Sequence, residues 1–147
     1  MIKTLSPSTD FSSSLRARNL KVTPARVAVL TVLSSSKQPL TVEEILERLG
    51  EGTTDQATVY RMMNSFQAKG LVRQVDFEHG HAHYELAGDR EHHHLVCVSC
   101  GRVEDVEGCP IEKYYGGVLK KLPAFSQIYR HTLELFGLCH CCEKKSQ

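Results

Sequence analysis

Two Cys-x-x-Cys pairs, Cys97–Cys100 and Cys139–Cys142, constrain this 147-residue chain more than any other feature. Paired thiolates at this spacing are of the kind that close a tetrahedral zinc site. The 38 residues between the pairs are more than a compact zinc finger uses. They read as strand, helix and strand, so one ion would pin together the two ends of a small α/β unit. Gly101 relieves the turn after the first pair, and the second pair is expected to end a long strand. A redox dithiol would want a helix N-terminus to lower its pKa, and neither pair is expected to begin a helix. Cys109 and Cys141 fall outside the pattern and are expected to pack or to do nothing special, though Cys141 could compete with its neighbours as a ligand.

The residues before position 80 have a different character. Residues 1–9 are Ser-, Thr- and Pro-rich with little to bury and are expected to be disordered. A short helix is expected over 10–18. Thr23 and Pro24 form a cap and first position for a helix over 24–34, whose core stripe would be Val27, Leu30, Val32 and Leu33. Thr41 with Glu44 is a capping box opening a helix that Gly50 stops. A further helix over 56–68, capped by Thr54 or Asp55, carries Val59, Met62, Met63 and Phe66 on one side and ends at Gly70. The period then becomes two: strands over 71–77 and 82–86 flank a turn at 78–81. Helices followed by a hairpin are the parts of a winged helix. On the 56–68 helix, Thr58, Tyr60, Arg61 and Asn64 could reach bases or phosphates from the major groove. Arg16, Arg18, Lys21 and Arg26 could grip backbone phosphate. The alternative is a set of solvated charges, and winged helices also make protein contacts. Charge distribution is a weak guide: residues 1–80 carry 10 basic against 8 acidic side chains and the remainder 8 against 9.

Residues 87–91 read as a hinge. In the second half, strands are expected over 95–98 and 102–106, a helix over 110–122 and a long strand over 126–136. Polar ligand types crowd this region: His81, His83, Glu85, His92, His93, His94, Glu104, Asp105, Glu112 and His131. Alternation along a strand puts His92 and His94 on one face and His93 on the other, with His81, His83 and Glu85 sharing a face on the preceding strand. Two separate nitrogen/oxygen metal sites could result, and such sites suit Zn, Fe(II), Mn, Co or Ni. Surface histidines are the plainer reading for any one of them, but three in a row beside a Cys-x-x-Cys argue against it. A hydrolytic zinc enzyme would need three ligands, an open position and a general base, and no His-Glu-x-x-His motif is present.

Apolar residues make up 41% of the chain, enough for cores. Two half-size domains would each have a thin core and would benefit from a metal staple. The N-terminus lacks a signal-peptide pattern and no stretch approaches the roughly 18 apolar residues of a membrane span. A cytoplasmic location is expected, where cysteines serve as ligands more than as disulfides.

Taken together, these residues resemble the ferric uptake regulator family of metal-responsive repressors. The resemblance rests on Val22-Thr23-Pro24-Ala25-Arg26, Thr58-Val59-Tyr60-Arg61, Tyr84-Glu85-Leu86, the run from His92 to Gly101, and Cys139-x-x-Cys142, across residues 14–142. It implies an α+β chain: an N-terminal winged helix-turn-helix DNA-binding domain (1–86), the hinge (87–91), and a C-terminal α/β dimerisation domain (92–147). It implies a structural Zn2+ at Cys97, Cys100, Cys139 and Cys142. A regulatory divalent metal, Zn2+ or Fe2+ with Mn2+ as a further candidate, would sit at the hinge on Glu85, His92 and His94. A further site maps to His93, Glu112 and His131, with Glu91 as a fourth ligand. Many iron sensors of the family add a histidine from the loop before the helix opened by Thr41. Here that loop reads Ser36-Lys37-Gln38-Pro39-Leu40, so the remaining ligand falls to His81, His83 or Asp105. The implied protein is a homodimer that binds palindromic double-stranded DNA as a repressor of metal-uptake genes, with no catalytic residue, no small-molecule substrate and no membrane. A peroxide-sensing member of the family, a zinc-dependent hydrolase and a zinc-stapled interaction module are the alternatives.

Overall fold

Each helix of the N-terminal half begins where a side chain can accept the orphan amides of its first turn. In the computed structural model, which describes residues 10–78, 80–88 and 92–145, α1 (Phe11–Ala17) is capped by Asp10 and α2 (Pro24–Ser35) by Thr23. Thr41 caps α3 (Val42–Leu49) and Asp55 caps α4 (Gln56–Ala68). The Thr41 hydroxyl accepts from the Glu44 amide at 3.2 Å, while Glu44 accepts from the Thr41 amide at 2.8 Å. Gly50, at φ +79°, ends α3 in backbone that L side chains avoid. The residues expected to be disordered, 1–9, lie outside the described residues.

The chain divides into two units, Met1–Asp89 and Arg90–Gln147. In the first, α1 to α4 are followed by an antiparallel hairpin of β1 (Val72–Asp76) and β2 (Ala82–Leu86), with Val72 opposite Leu86. Leu40 adds a bridge to β2 on the side away from β1, exchanging backbone hydrogen bonds with Tyr84 at 2.9 and 2.7 Å. The result is a winged helix around a core of Leu15, Val29, Leu30, Ile45, Val59, Met63 and Phe66. On α2 the deepest positions are Val29, Leu30 and Leu33, while Val27 and Val32, expected in the stripe, flank the core. The helix packs against α1, α3 and β2 at once, so its buried arc is rotated from the one a single-sided contact would select. Ala87, placed in the expected hinge, donates its amide to the Leu71 carbonyl at 2.9 Å. Residues 89–91 of that expected hinge lie outside the described residues.

The second unit holds a three-stranded sheet in the order β4 (Val103–Glu107), β3 (His92–Cys97), β5 (Glu134–Gly137). β3 runs antiparallel to β4 and parallel to β5. β3 starts three residues earlier than expected, because both neighbours pair with its histidine run. The helix expected over 110–122 is split into a 3-10 turn, Pro110–Tyr114, and α5, Tyr115–Lys121. Pro110 withholds an amide and Gly116-Gly117 weaken the helix just inside the split. The long strand expected over 126–136 shrinks to β5, since only residues 134–137 meet the edge of β3. Cys139 does not end a strand; it precedes a four-residue helix, α6 (His140–Glu143).

Among the described residues of this unit, the buried side chains are His93, His94, Val96, Cys97, Val103 and Cys142. Only two of those six are aliphatic, so hydrophobic burial contributes little. Meanwhile Leu95, Val98, Val118, Leu122, Phe125, Tyr129, Leu135, Phe136 and Leu138 are exposed.

Candidate metal centres and nucleic-acid interface

The end of β3 and the start of α6 bring the four expected cysteines together. Their sulfurs all lie within 4.8 Å of one another, and Cys100 Sγ is 3.7 Å from Cys139 Sγ. Four thiolates at about 2.3 Å from a tetrahedral zinc would stand about 3.8 Å apart, so the donor set fits that ion. Backbone bonds hold the knuckle: the Cys97 amide reaches the Arg102 carbonyl at 2.8 Å and the Gly101 amide the Cys97 carbonyl at 2.9 Å. The Cys139 amide points at Cys97 Sγ from 3.4 Å. That amide is the main reason the Cys97 thiol is lowered to about 6. The Cys142 amide similarly lowers Cys139. At Cys100 the Arg102 amide pulls downward, but the thiols of Cys97, Cys142 and Cys139 together push it up to about 11. One thiol of each pair is therefore readied for ionisation by backbone amides. The expectation that neither pair begins a helix is corrected at Cys139, the N-cap of α6. All four sulfurs nevertheless converge on one point, which a two-thiol redox site does not require.

A second cluster sits at mid-sheet. His94 is 1% exposed, with Nδ1 3.2 Å from Glu134 Oε2 and Nε2 3.8 Å from Asp105 Oδ1. The register explains it: His94 lies opposite Asp105 on β4 and opposite Glu134 on β5. His92 is two residues back on the same face, its ring 5.1 Å from that of His94. Of the expected hinge ligands, this unit thus gathers His92, His94 and Asp105. Sequence reasoning missed Glu134, since nothing local announces which residue of a distant strand will pair with His94. The other expected ligands belong to the first unit. Glu85 is bonded to Arg73, its cross-strand partner in the hairpin. His83 Nδ1 lies 3.1 Å from the His81 carbonyl and its ring packs on Phe77. His81 is exposed and precedes β2, so the expected three-residue alternation does not reach it.

The opposite face of β3 carries His93. Its Nε2 is 3.2 Å from Nε2 of His131. The third member is Cys109, whose Sγ is 3.0 Å from His131 Nε2. Glu112, expected there, is instead exposed within the 3-10 turn. Such a turn advances about 6 Å in three residues, which carries Glu112 beyond the position Cys109 occupies. Cys109 was expected to be inert; its signal, a cysteine directly before Pro110, is too generic to read. Glu91 lies outside the described residues.

In the winged helix, α4 buries Val59, Met62, Met63 and Phe66 and exposes Tyr60, Arg61 and Asn64. Thr58 is half-buried; its hydroxyl donates to Asp55 at 2.7 Å and accepts from Arg61 Nη2 at 3.0 Å. It therefore orients Arg61 rather than standing free. Arg16 is exposed at the end of α1. Arg26 is half-buried and donates to the Lys21 carbonyl at 2.9 Å. Arg18, grouped with them as a phosphate grip, donates to the carbonyls of Lys69 and Ser14, tying α1 to the end of α4.

Comparison with known proteins matches residues 17–136 to the ferric uptake regulator family model. The ferric uptake regulation protein of Legionella pneumophila is 37% identical over 135 residues, covering 90% of this chain and 98% of that protein. The crystal structure of the Vibrio cholerae ferric uptake regulator superposes with a TM-score of 0.74 at 36% identity, covering 88% of this chain and all of that one. The Helicobacter pylori regulator, described with three functional metal binding sites, gives 0.74 at 26% identity, covering 90% of this chain and 89% of its own. The chain belongs to the ferric uptake regulator family and is a metal-dependent, DNA-binding transcriptional regulator.

Proposed function

We propose that the chain works as a homodimeric repressor of metal-uptake genes on palindromic operators, with a structural zinc on Cys97, Cys100, Cys139 and Cys142. The observation that carries the reading is the second unit's interior, which buries imidazoles and thiols where a domain of that size would bury aliphatics. Domains this small lean on metals or oligomerisation. Its exposed Val118, Leu122, Phe125, Leu135 and Phe136 support burial against a second copy. A two-fold dimer would present two α4 helices to two half-sites.

The regulatory ion would be held by His92, His94 and Asp105, and the 3.2 Å approach of Glu134 to His94 supports adding that carboxylate to the set. The family resemblance adds Glu85, with His81 and His83 as further candidates from the head. Residues 87–91 serve as the hinge between a DNA-binding domain over 1–86 and a dimerisation domain over 92–147. A divalent cation supplies a cross-link that neutralises these carboxylates and restricts the hinge. Without it the DNA-competent arrangement is one member of an ensemble, and apparent affinity falls by that fraction. By linkage, DNA tightens metal binding by the same factor.

The test is operator-type DNA binding by purified protein with Zn(II), Fe(II) and Mn(II) buffered separately. Metal-dependent binding is expected, and the most effective ion names the sensor. A change in affinity below about twofold with every ion would sink the switch, since such a ratio carries almost no coupling energy.

A further inference from the structure

We propose that Arg73 is a built-in competitor for the regulatory ion. Its guanidinium holds the Glu85 carboxylate in the metal-free chain and must yield it, wholly or in part, to a divalent cation. Arg73 thereby raises the free-metal concentration at which the regulator switches. The proposal deepens the function proposed above and rests on its inclusion of Glu85 in the regulatory set.

Glu85 enters that set as a metal ligand, yet its carboxylate is already engaged. The hairpin register sets Arg73 on β1 directly opposite Glu85 on β2. Arg73 Nε donates to Glu85 Oε1, and the two charges form an ion pair. Val72 and Tyr84, their neighbours along the two strands, belong to the buried core of the head. Alternation therefore turns Arg73 and Glu85 together onto the other face of the hairpin. There the Glu85 side chain is 14% exposed, against 32% for Arg73. A carboxylate so far withdrawn from water needs a cation beside it. In the metal-free chain the guanidinium is that cation. Arginine stays protonated throughout, so it does not release the carboxylate by losing its charge.

Arg73 can yield in two ways. Its guanidinium can leave, and the ion pair is lost. Alternatively it keeps one carboxylate oxygen while a divalent cation takes the other, and two positive charges then crowd a single carboxylate. Repulsion at that separation persists even through the screening of water, and it doubles for a doubly charged ion. Either way, metal affinity is lower than the donor atoms alone would give. Both partners lie in the first unit, so the hairpin makes this pair by itself. A sensor's threshold follows its metal affinity, and the pair therefore acts on the switching point.

The test is Mn(II) binding by full-length protein without DNA, with free Mn(II) read by electron paramagnetic resonance. Arg73→Gln removes the charge and keeps a polar side chain. It should tighten Mn(II) binding by about tenfold, or about 1.4 kcal/mol, with circular dichroism unchanged. Arg73→Lys, which keeps the charge, should stay near wild type. Glu85→Gln should weaken binding, and most of the gain from Arg73→Gln should vanish in that background, because the competitor then has no carboxylate to hold. Unchanged or weaker binding by Arg73→Gln, with Glu85→Gln still damaging, overturns the competitor and leaves the regulatory reading of Glu85 standing. A gain that survives in full in Glu85→Gln, or that Arg73→Lys shares, also overturns it. If Glu85→Gln has no effect on Mn(II) binding, Glu85 leaves the regulatory set and the proposal falls with it.

Discussion

Arg18 and Arg61 carry the same side chain to opposite ends. Arg18 spends its donors on the backbone carbonyls of Lys69 and Ser14, whereas Arg61 lies on the exposed face of α4, steadied by the Thr58 hydroxyl. Arg61→Ala is expected to cost about 1–3 kcal/mol of specific operator binding and to relax preference at one position. Arg18→Ala should instead lower the melting temperature of the first unit and leave the operator/nonspecific affinity ratio alone. Thr58→Val should weaken specific binding in the same direction as Arg61→Ala. The double variant should then lose less than the two single losses added, because both changes disable one guanidinium. Additive losses in that cycle would mean that Thr58 contacts DNA independently. These residue-level roles were partly legible: Tyr60, Arg61 and Asn64 are exposed as a helical period requires, but the bond from Arg61 to Thr58 needed coordinates.

At the scale of elements, the caps dominate the head and the pairing register dominates the second unit. Thr41→Ala removes one half of the capping box at α3 and should destabilise the first unit by about 1 kcal/mol, read as a shifted denaturation midpoint with an unchanged slope. Ile45→Ala, at the fully buried centre of the same helix, should cost about 2–5 kcal/mol, since it opens a cavity among packed neighbours. If the cap variant proved the worse of the two, the helix would be held by its end and not by its core. Bounds of α2, α3 and α4 were readable to within a residue or so, because caps and stop glycines act within one turn. The strand expected over 126–136 was not readable. A strand exists where a neighbour supplies its hydrogen bonds, and β3 offers them only to Glu134–Gly137.

The whole molecule joins a head with a hydrophobic core to a unit whose buried side chains, among the described residues, are chiefly metal-ligand types. The two should answer metal removal differently. If the four cysteines hold the proposed zinc, chelation or Cys142→Ser is expected to strip hydrogen-exchange protection from β3 amides while the α4 amides keep theirs, because zinc-binding energy is folding energy only where the zinc sits. Simultaneous loss in both would mean that the chain melts as one cooperative block. The sequence by itself determined the capped helices, the hairpin, and the two Cys-x-x-Cys pairs whose four sulfurs the fold brings together. Each of these is written in residues a few positions apart or in a motif whose donor chemistry allows few alternatives. Only the tertiary structure decided that Glu134 flanks His94, 40 positions away, that Cys109 meets His131 across 22, and that Arg18 reaches Lys69 across 51. Those contacts follow from strand register and packing, which the whole fold fixes and which leave no pattern in the residues that make them.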